Sequence, residues 1–527
     1  MIQGVTLRSY QNEAVEMMVA RGRALLSLCM GAGKTVTSLA AVEELMDEGV
    51  VARGLVIVPA SLKYQWQREI RRFTGRHALV IDGSPSARKN LYAFVPKTIY
   101  TIVNYETLRS AKDWKYWRDA DFDFLIIDEI SYCKSPTAQR TKKVRFMSKR
   151  CDVVFGLTGQ PVENRAEELY SIMQVVDPMV LGDYRVFDRT FIVRDHWNKP
   201  VRYRNLKTLR KTMSDVMYRK TRDDIADQFP RLVSTVVPFD MSASEHKLYN
   251  VAAIHTLGRL AEAMERYGPS FSLAQHYGEA DDNAESMKIR GDIMAGMLLL
   301  RLIADDPLLV IDSARLFEEN VDDKGHSKVG SALAYDFVKA GLLDHVGEVS
   351  TKRQLFAELL ADVYEEDPRN KVVAFSTFKG MIRRVQDDVA DMTRSVQFTG
   401  DMNAWQKSQA MATFKDSDDC RLFLSSDAGG YGVDLPEGNH LFSLDLPWST
   451  GAFEQREARI IRISSEWEHV NLISLQAAGS IDERIYEMIN AKHGVSAAFI
   501  DGKFDSQGIH TPTLGSLTAF LSANLVS

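Results

Sequence analysis

Cysteine is scarce. The 527 residues hold four, Cys29, Cys133, Cys151 and Cys420, and none forms a CxxC pair. That spacing suggests neither a zinc site nor a disulfide framework. Long apolar runs are missing as well: none approaches the ~18 residues a membrane span requires. The opening MIQGVTLRSYQ lacks the apolar core of a leader peptide. No solenoid-period repeat and no low-complexity tract interrupts the chain. These absences leave a globular protein of the reducing cytoplasm with no membrane partner. Its length predicts about three domains.

A large net charge is also absent. The 65 Lys+Arg and 71 Asp+Glu leave −6, which taken as a sum argues against a polyanion partner. The sum hides an asymmetry. Residues 1–235 carry 38 basic against 27 acidic side chains, and the remainder carries 27 against 44. A basic half beside an acidic half fits a chain in which one lobe makes most of a nucleic-acid contact. Charges that merely solvate the surface would give the same count.

What is present centres on LLSLCMGAGKTVTSLAAVEELM, residues 25–46. An apolar run ends in Met30-Gly31-Ala32-Gly33-Lys34-Thr35, and a helical pattern follows at once. Strand, glycine loop and helix form the setting in which a Walker A match becomes a phosphate site. Gly31 and Gly33 let backbone N–H groups turn inward, and the helix N-terminus adds positive potential. Lys34 would reach the β- and γ-phosphates of ATP, and Thr35 would hold Mg²⁺ through its hydroxyl. A plain glycine turn is the competing reading, because Leu28 stands where the first Walker glycine would be.

Further along, GLVIVPA (54–60), TIYTIVNYETL (98–108), FDFLIIDEIS (122–131) and CDVVFGLTGQP (151–161) are short apolar runs separated by helical patterns. That alternation predicts a parallel α/β sheet with ligands at the strands' carboxyl ends. Residues 162–232 read as helical and basic, while 268–286 and 319–330 read as polar loops. Strand patterns return at 371–377, 421–426, 440–447 and 469–475. The expected domains are an ATP-binding lobe (1–235, with a helical insert at about 165–220), a helical insertion (236–345), a second lobe (346–495) and a tail (496–527).

Two further groups carry chemistry. Asp128-Glu129 ends an apolar strand, so Asp128 can join the Mg²⁺ shell and Glu129 can accept a proton from the attacking water. In EQREARIIRI (454–463), Gln455, Arg459 and Arg462 fall at i, i+4 and i+7, one face of a helix. Spacing alone leaves arginine fingers and a solvated basic face equally open.

In order along the chain, LRSYQ, MGAGKT, LVIVPASLKYQWQREI, VNYETL, IIDEIS, GLTGQPVENRAEELYSIMQVVDP, YRKTRDDIADQFP, VVAFSTFKGM, LFLSSDAGGYGVDL and DLPWSTGAFEQREARIIRI resemble the motifs of superfamily 2 helicase-type ATPases of the SWI/SNF group, from about residue 7 to about 490. The resemblance implies two tandem RecA-like parallel-sheet lobes with helical insertions. It implies Gln11 as an adenine contact, and Arg459 and Arg462 at the γ-phosphate. Gly430, Gly432 and Asp434 would shape the motif V loop between DNA and ATP. Ser61, Lys63, Asn104, Tyr105, Ser376 and Thr377 would lie along the DNA backbone. The group's activity implies a monomeric, DNA-stimulated ATP hydrolase that moves along double-stranded DNA, here a compact bacterial or phage-type translocase. The alternatives are a strand-separating helicase and an ATP-gated DNA clamp with little turnover. Three departures stand out: Ser131 replaces the usual motif II histidine that couples to Gln160, Lys407 replaces an arginine, and Ile463-Ser464-Ser465 replaces Ile-Gly-Gln.

Overall fold

The computed structural model describes residues 4–162, 165–196, 200–268, 284–323, 325, 327–427, 433–448, 450–496 and 514–524. The chain divides into two compact units. One runs to Phe229 and takes in the described residues from Lys492; the other runs from Pro230 to Ala491 and takes in the helix Leu514–Asn524.

The first unit is built on β1 (Arg23–Leu28), β2 (Gly54–Val58), β3 (Ala78–Val80), β4 (Tyr100–Asn104), β5 (Phe124–Ile127) and β6 (Val153–Thr158). A hairpin, β7 (Ile192–Arg194) and β8 (Pro200–Tyr203), precedes β9 (Met217–Lys220). The sheet order is β3-β4-β2-β5-β6-β1-β9, with every neighbouring pair parallel. Parallel strands covered on both faces must be apolar throughout, and β2, β4, β5 and β6 are buried at every position. Each fully buried Leu, Ile, Val or Phe in them contributes about 1.5–3 kcal/mol relative to exposure. Gly156 on β6 is a close-approach position: a Cβ there would stand 2.7 Å from Ile130 Cδ1 and 2.9 Å from Val176 Cγ2.

Three helices position the site. α1 (Ser9–Arg21) buries Tyr10, Gln11, Ala14, Val15 and Met18, and ends where Gly22 turns left-handed at φ 67°. α2 (Lys34–Asp47) leaves the end of β1. α3 (Lys63–Thr74) follows β2 and buries Lys63, Trp66, Ile70 and Thr74, a stripe at helical spacing.

The second unit has β10 (Arg231–Phe239), β11 (Val372–Ser376), β12 (Arg394–Phe398), β13 (Cys420–Ser426), β14 (His440–Ser443) and β15 (His469–Ala477). They form an all-parallel sheet in the order β10-β15-β14-β11-β13-β12. Helices Ala243–Tyr267, Ala284–Asp305 and Leu308–Asn320 lie between β10 and β11 in the chain. The boundary expected at residue 235 falls inside β10, which pairs along its whole length with β15. The stretch 162–232, read as helical, also contains β7, β8 and β9, and the last of these extends the main sheet. The tail carries the helix Leu514–Asn524, whose Thr518 hydroxyl lies 3.1 Å from Met264 Sδ.

Candidate functional site

β1 delivers its last residue, Leu28, to the carboxyl edge of the sheet, between β6 and β9. The loop that follows is shaped by two left-handed glycines, Gly31 at φ 79° and Gly33 at φ 84°. Side chains cost energy in that region, and a Cβ on Gly33 would stand 2.4 Å from Gln11 Nε2. Lys34 opens α2, and its ammonium donates to the Leu28 carbonyl at 3.2 Å. α1 braces the loop from outside: Tyr10 Oη and Gln11 Nε2 donate to the Ala32 carbonyl at 2.9 and 3.1 Å. Gln11 Oε1 accepts from the Arg8 amide at 2.9 Å, so both ends of this amide are engaged and it touches the loop itself. Met30 points toward the loop after β6, its Cγ 3.4 Å from where a Gly159 Cβ would lie. The result is an anion cradle at the N-terminus of a 14-residue helix.

The paired carboxylates follow β5. Asp128 Oδ2 accepts from the Trp66 indole at 2.7 Å, and Oδ1 accepts from the Glu129 amide at 2.9 Å. Burial pushes the Asp128 carboxyl above the ordinary range, opposed by the Trp66 hydrogen bond, the Lys34 charge and the Glu129 N–H. Glu129 adopts φ 50°, ψ 56°, a left-handed conformation that costs a non-glycine residue about 1–2 kcal/mol. Its Oε1 accepts from the Ser131 hydroxyl at 2.6 Å. The residue that stands where the resemblance expects a histidine therefore bonds directly to the Glu129 carboxylate.

Several expected DNA contacts have other positions. Ser61 is exposed on the 3₁₀ turn Ala60–Leu62 after β2, and Thr377 is exposed after β11. Lys63 is only 7% exposed and its ammonium lies 2.6 Å from Asp82 Oδ1, so the expectation of a phosphate contact is corrected. A buried ammonium needs a counter-ion, and Asp82 supplies it. Asn104 is buried and caps the helix Tyr105–Arg109, accepting from the Thr107 amide at 3.0 Å. Tyr105 is 1% exposed; its hydroxyl donates to the Asp128 carbonyl at 2.7 Å and the Glu129 carbonyl at 3.2 Å. Ser376 is fully buried and donates to Asp445 Oδ2 at 2.5 Å. These three side chains face the protein interior and are corrected likewise.

The second unit also revises the arginine geometry. The helix Thr450–Glu457 ends before Arg459, so Gln455, Arg459 and Arg462 do not share a helical face. The Leu435 amide donates to the Arg459 carbonyl at 2.9 Å, and Arg459 Nη1 donates to the Val433 carbonyl at 3.2 Å. That backbone clip holds residues 433–435 against the chain beyond the helix. Arg462 forms an ion pair with Asp434, whose side chain is 43% exposed. Gly430 and Gly432 lie outside the described residues.

Sequence reasoning missed Arg456, which is 2% exposed. Its guanidinium donates to Asp427 Oδ1 at 2.5 Å and Oδ2 at 2.8 Å, to Asp445 Oδ1 at 3.0 Å and to Thr377 Oγ1 at 3.1 Å. Arg301 Nη2 reaches the same Asp445 oxygen at 3.1 Å. Burial alone would raise the Asp445 carboxyl; Arg456, Arg301 and the Ser376 and Thr377 hydroxyls outweigh it and hold it well below the usual range. Arg456 sits in EQREAR beside the residues that spacing singled out, but nothing local announces Asp445 as its partner.

Two family matches cover most of the chain: the SNF2-related domain over residues 10–309 and the helicase conserved C-terminal domain over 351–464. The chain belongs to the SNF2-related family. This SNF2-type chain bears out the expected fold of two RecA-like parallel-sheet lobes. The DNA repair and recombination protein RAD54B of Mus musculus is 25% identical over 516 residues, 93% of this chain and 55% of that protein. The uncharacterized ATP-dependent helicase YqhH of Bacillus subtilis is 23% identical over 488 residues, 92% of this chain and 77% of that one. The SNF2-type chain thus spans about half the length of its RAD54B relatives. Among solved structures, the Hef helicase domain of Pyrococcus furiosus shares the fold, with TM-score 0.52 and 14% identity over 91% of this chain and 98% of that one.

Proposed function

We propose that this chain is a DNA-stimulated ATPase that moves along double-stranded DNA. The observation that carries the ATPase half is the first unit's geometry. A left-handed glycine loop with Lys34 stands on the same sheet edge as the Asp128–Glu129 pair, and Trp66 and Ser131 donate to its carboxylates. ATP enters as the magnesium complex, with Thr35 and Asp128 supplying hard oxygen donors. Water attacks the terminal phosphorus, the bridging bond to the β-phosphate breaks, and Glu129 takes the water's proton. We assign Arg459 and Arg462 to the charge that grows on the transferring phosphoryl group. In that state Arg462 exchanges Asp434 for phosphate.

The DNA half rests on the basic excess of residues 1–235 and on kinship with proteins named for DNA repair and helicase activity. The exposed Ser61 is a candidate contact for a phosphate backbone, whereas the Thr377 hydroxyl is engaged by Asp445 and Arg456. Ser131 supports a second reading, an ATP-gated clamp, because its hydroxyl occupies one oxygen of the proton acceptor. ATP turnover measured with duplex, single-stranded and forked DNA and with RNA tests the proposal. Duplex-stimulated turnover with triplex displacement and no strand separation is the expected result. Negligible turnover with tight, ATP-dependent DNA binding replaces the motor with the clamp, and unwinding of forked DNA replaces it with a helicase.

A further inference from the structure

Motif II is held from two sides by buried aromatic side chains that come from other loops. On one side Trp66, in the first turn of α3, donates its indole N–H to the Asp128 carboxylate. It follows the exposed turn Ala60–Leu62 by one helical turn. On the other side Tyr105, the first residue of the helix Tyr105–Arg109, donates its hydroxyl to the carbonyls of both Asp128 and Glu129. Its ring stacks on Tyr132 with centroids 5.0 Å apart, and the same short helix presents Arg109 to solvent. Burial raises the Tyr105 phenol far above its ordinary value, so it stays a hydrogen-bond donor throughout the working pH range.

The two bonds act on different things. Trp66 orients a side chain. Tyr105 orients a backbone, and it does so where that backbone is in its least favourable conformation. A left-handed Glu129 persists only where its surroundings over-determine it. The phenol bridges the two successive carbonyls that this conformation brings together. Neither aromatic is exposed, so neither reads the ligand directly. Trp66 is one helical turn from the exposed turn Ala60–Leu62 after β2, and Tyr105 opens the short helix after β4 on which Glu106 and Arg109 are exposed.

We propose that Tyr105 and Trp66 are positioning residues that couple the exposed face of the helix Tyr105–Arg109 and the exposed turn Ala60–Leu62 to the paired carboxylates, Tyr105 by setting the Glu129 backbone and Trp66 by aiming Asp128. This rests on the reading of the first unit as a DNA-stimulated ATPase. Phosphate contacts on that face and that turn shift α3 and the helix Tyr105–Arg109 slightly. The aromatics pass that shift to the general base and to the magnesium-side carboxylate.

Tyr105→Phe tests this on the full chain, because it removes one oxygen and keeps the ring. Duplex-stimulated kcat is expected to fall about tenfold to a hundredfold, the cost of a slightly misplaced catalytic group. The dissociation constants for duplex DNA and for a non-hydrolysable ATP analogue should stay within about twofold, a bound set well below that effect. Without nucleotide or DNA, the amides of Glu129 to Tyr132 should exchange with deuterium faster than in the wild type. Wild-type kcat and exchange would overturn the proposal, and so would a loss confined to DNA affinity, which makes Tyr105 a contact or a scaffold for one. Trp66→Phe is the second arm: binding of the same analogue should need about tenfold more Mg²⁺ or beyond, as when the partner of a metal ligand is removed. An unchanged Mg²⁺ requirement overturns the Trp66 half. If the wild type shows no stimulation by duplex DNA, the proposed function fails. The exchange and Mg²⁺ arms still decide whether the aromatics position motif II.

Discussion

The two units hold their functional charges differently. In the first, an indole, a serine hydroxyl and a backbone amide donate to the Asp128 and Glu129 carboxylates, and the Lys34 charge acts on Asp128. In the second, guanidiniums are met by carboxylates: Arg456 by Asp427 and Asp445, Arg301 by Asp445, and Arg462 by Asp434. Exposure separates these pairs. The Arg456 and Arg301 pairs with Asp445 are almost dry, so each guanidinium is fixed as structure, since removing one partner would strand a buried charge. The Arg462 pair is wetter, Arg462 being 17% and Asp434 43% exposed, so it costs less to exchange than the dry pairs. A buried arginine builds the unit, and the arginine nearer the rim is the one proposed to meet a phosphate.

The largest expected break in this contrast is Arg462→Ala. If the rim arginine serves the transition state, DNA-stimulated turnover falls ~10³-fold or more while ATP affinity without DNA changes little. Arg462→Lys should rescue poorly, because an ammonium lacks the planar fork. A stimulated rate within about twofold of wild type, far below the finger effect, returns Arg462 to the solvated surface. Next comes Glu129→Gln, which keeps Lys34, Thr35 and Asp128 but removes the proton acceptor; turnover should drop ~10²–10⁴-fold with nucleotide binding retained. Undiminished turnover would move the general base elsewhere.

Asp445→Asn breaks the dry hub and should destabilise the second unit by about 3–5 kcal/mol, measured by denaturant unfolding. The sign of its pH dependence follows from the depressed Asp445 carboxyl. Its stabilisation is complete above the ordinary aspartate value near 3.9 and drains away as pH falls below it. The variant should therefore lack that part of the wild-type acid limb, and an identical limb in both proteins would show that the hub contributes nothing. The smallest effect is expected from Ser131→Ala. It frees one Glu129 oxygen from a single hydrogen bond worth roughly 0.5–1.5 kcal/mol, so turnover should shift by no more than about tenfold. A rise favours the clamp reading of the wild type, and a fall assigns Ser131 to orienting the base.

The glycine loop, the carboxylate pair and the parallel sheets were legible because each is written in adjacent residues or in a strand's unbroken apolarity. Lys34 and Glu129 needed only their neighbours to be found. Lys63, Tyr105 and Ser376 were misread for a common reason: their polar atoms are satisfied by Asp82, by the motif II carbonyls and by Asp445, at separations that spacing cannot reveal. Arg459 and Arg462 were assigned a helical face by extending a period past Glu457, where the backbone clip to Leu435 redirects the chain. β9 escaped notice because Met217–Lys220 is half-buried at every position and reads as one more basic stretch.

The pairing of β10 with β15 also has a consequence in time. The first unit's sheet is complete once β9 has emerged from the ribosome, at residue 220. β10 follows at once, but the strand it pairs with among the described residues, β15, begins at His469. At about 5–20 residues per second, that strand waits on the order of tens of seconds with its backbone unpaired. Such an edge invites pairing with another nascent chain. Pro238 near its end removes one donor from that edge, and Arg231 at its start adds an exposed charge. Ribosome-bound chains cut off between residues 240 and 460 should thus resist protease up to about Phe229, where the first unit ends, and be cleaved beyond it.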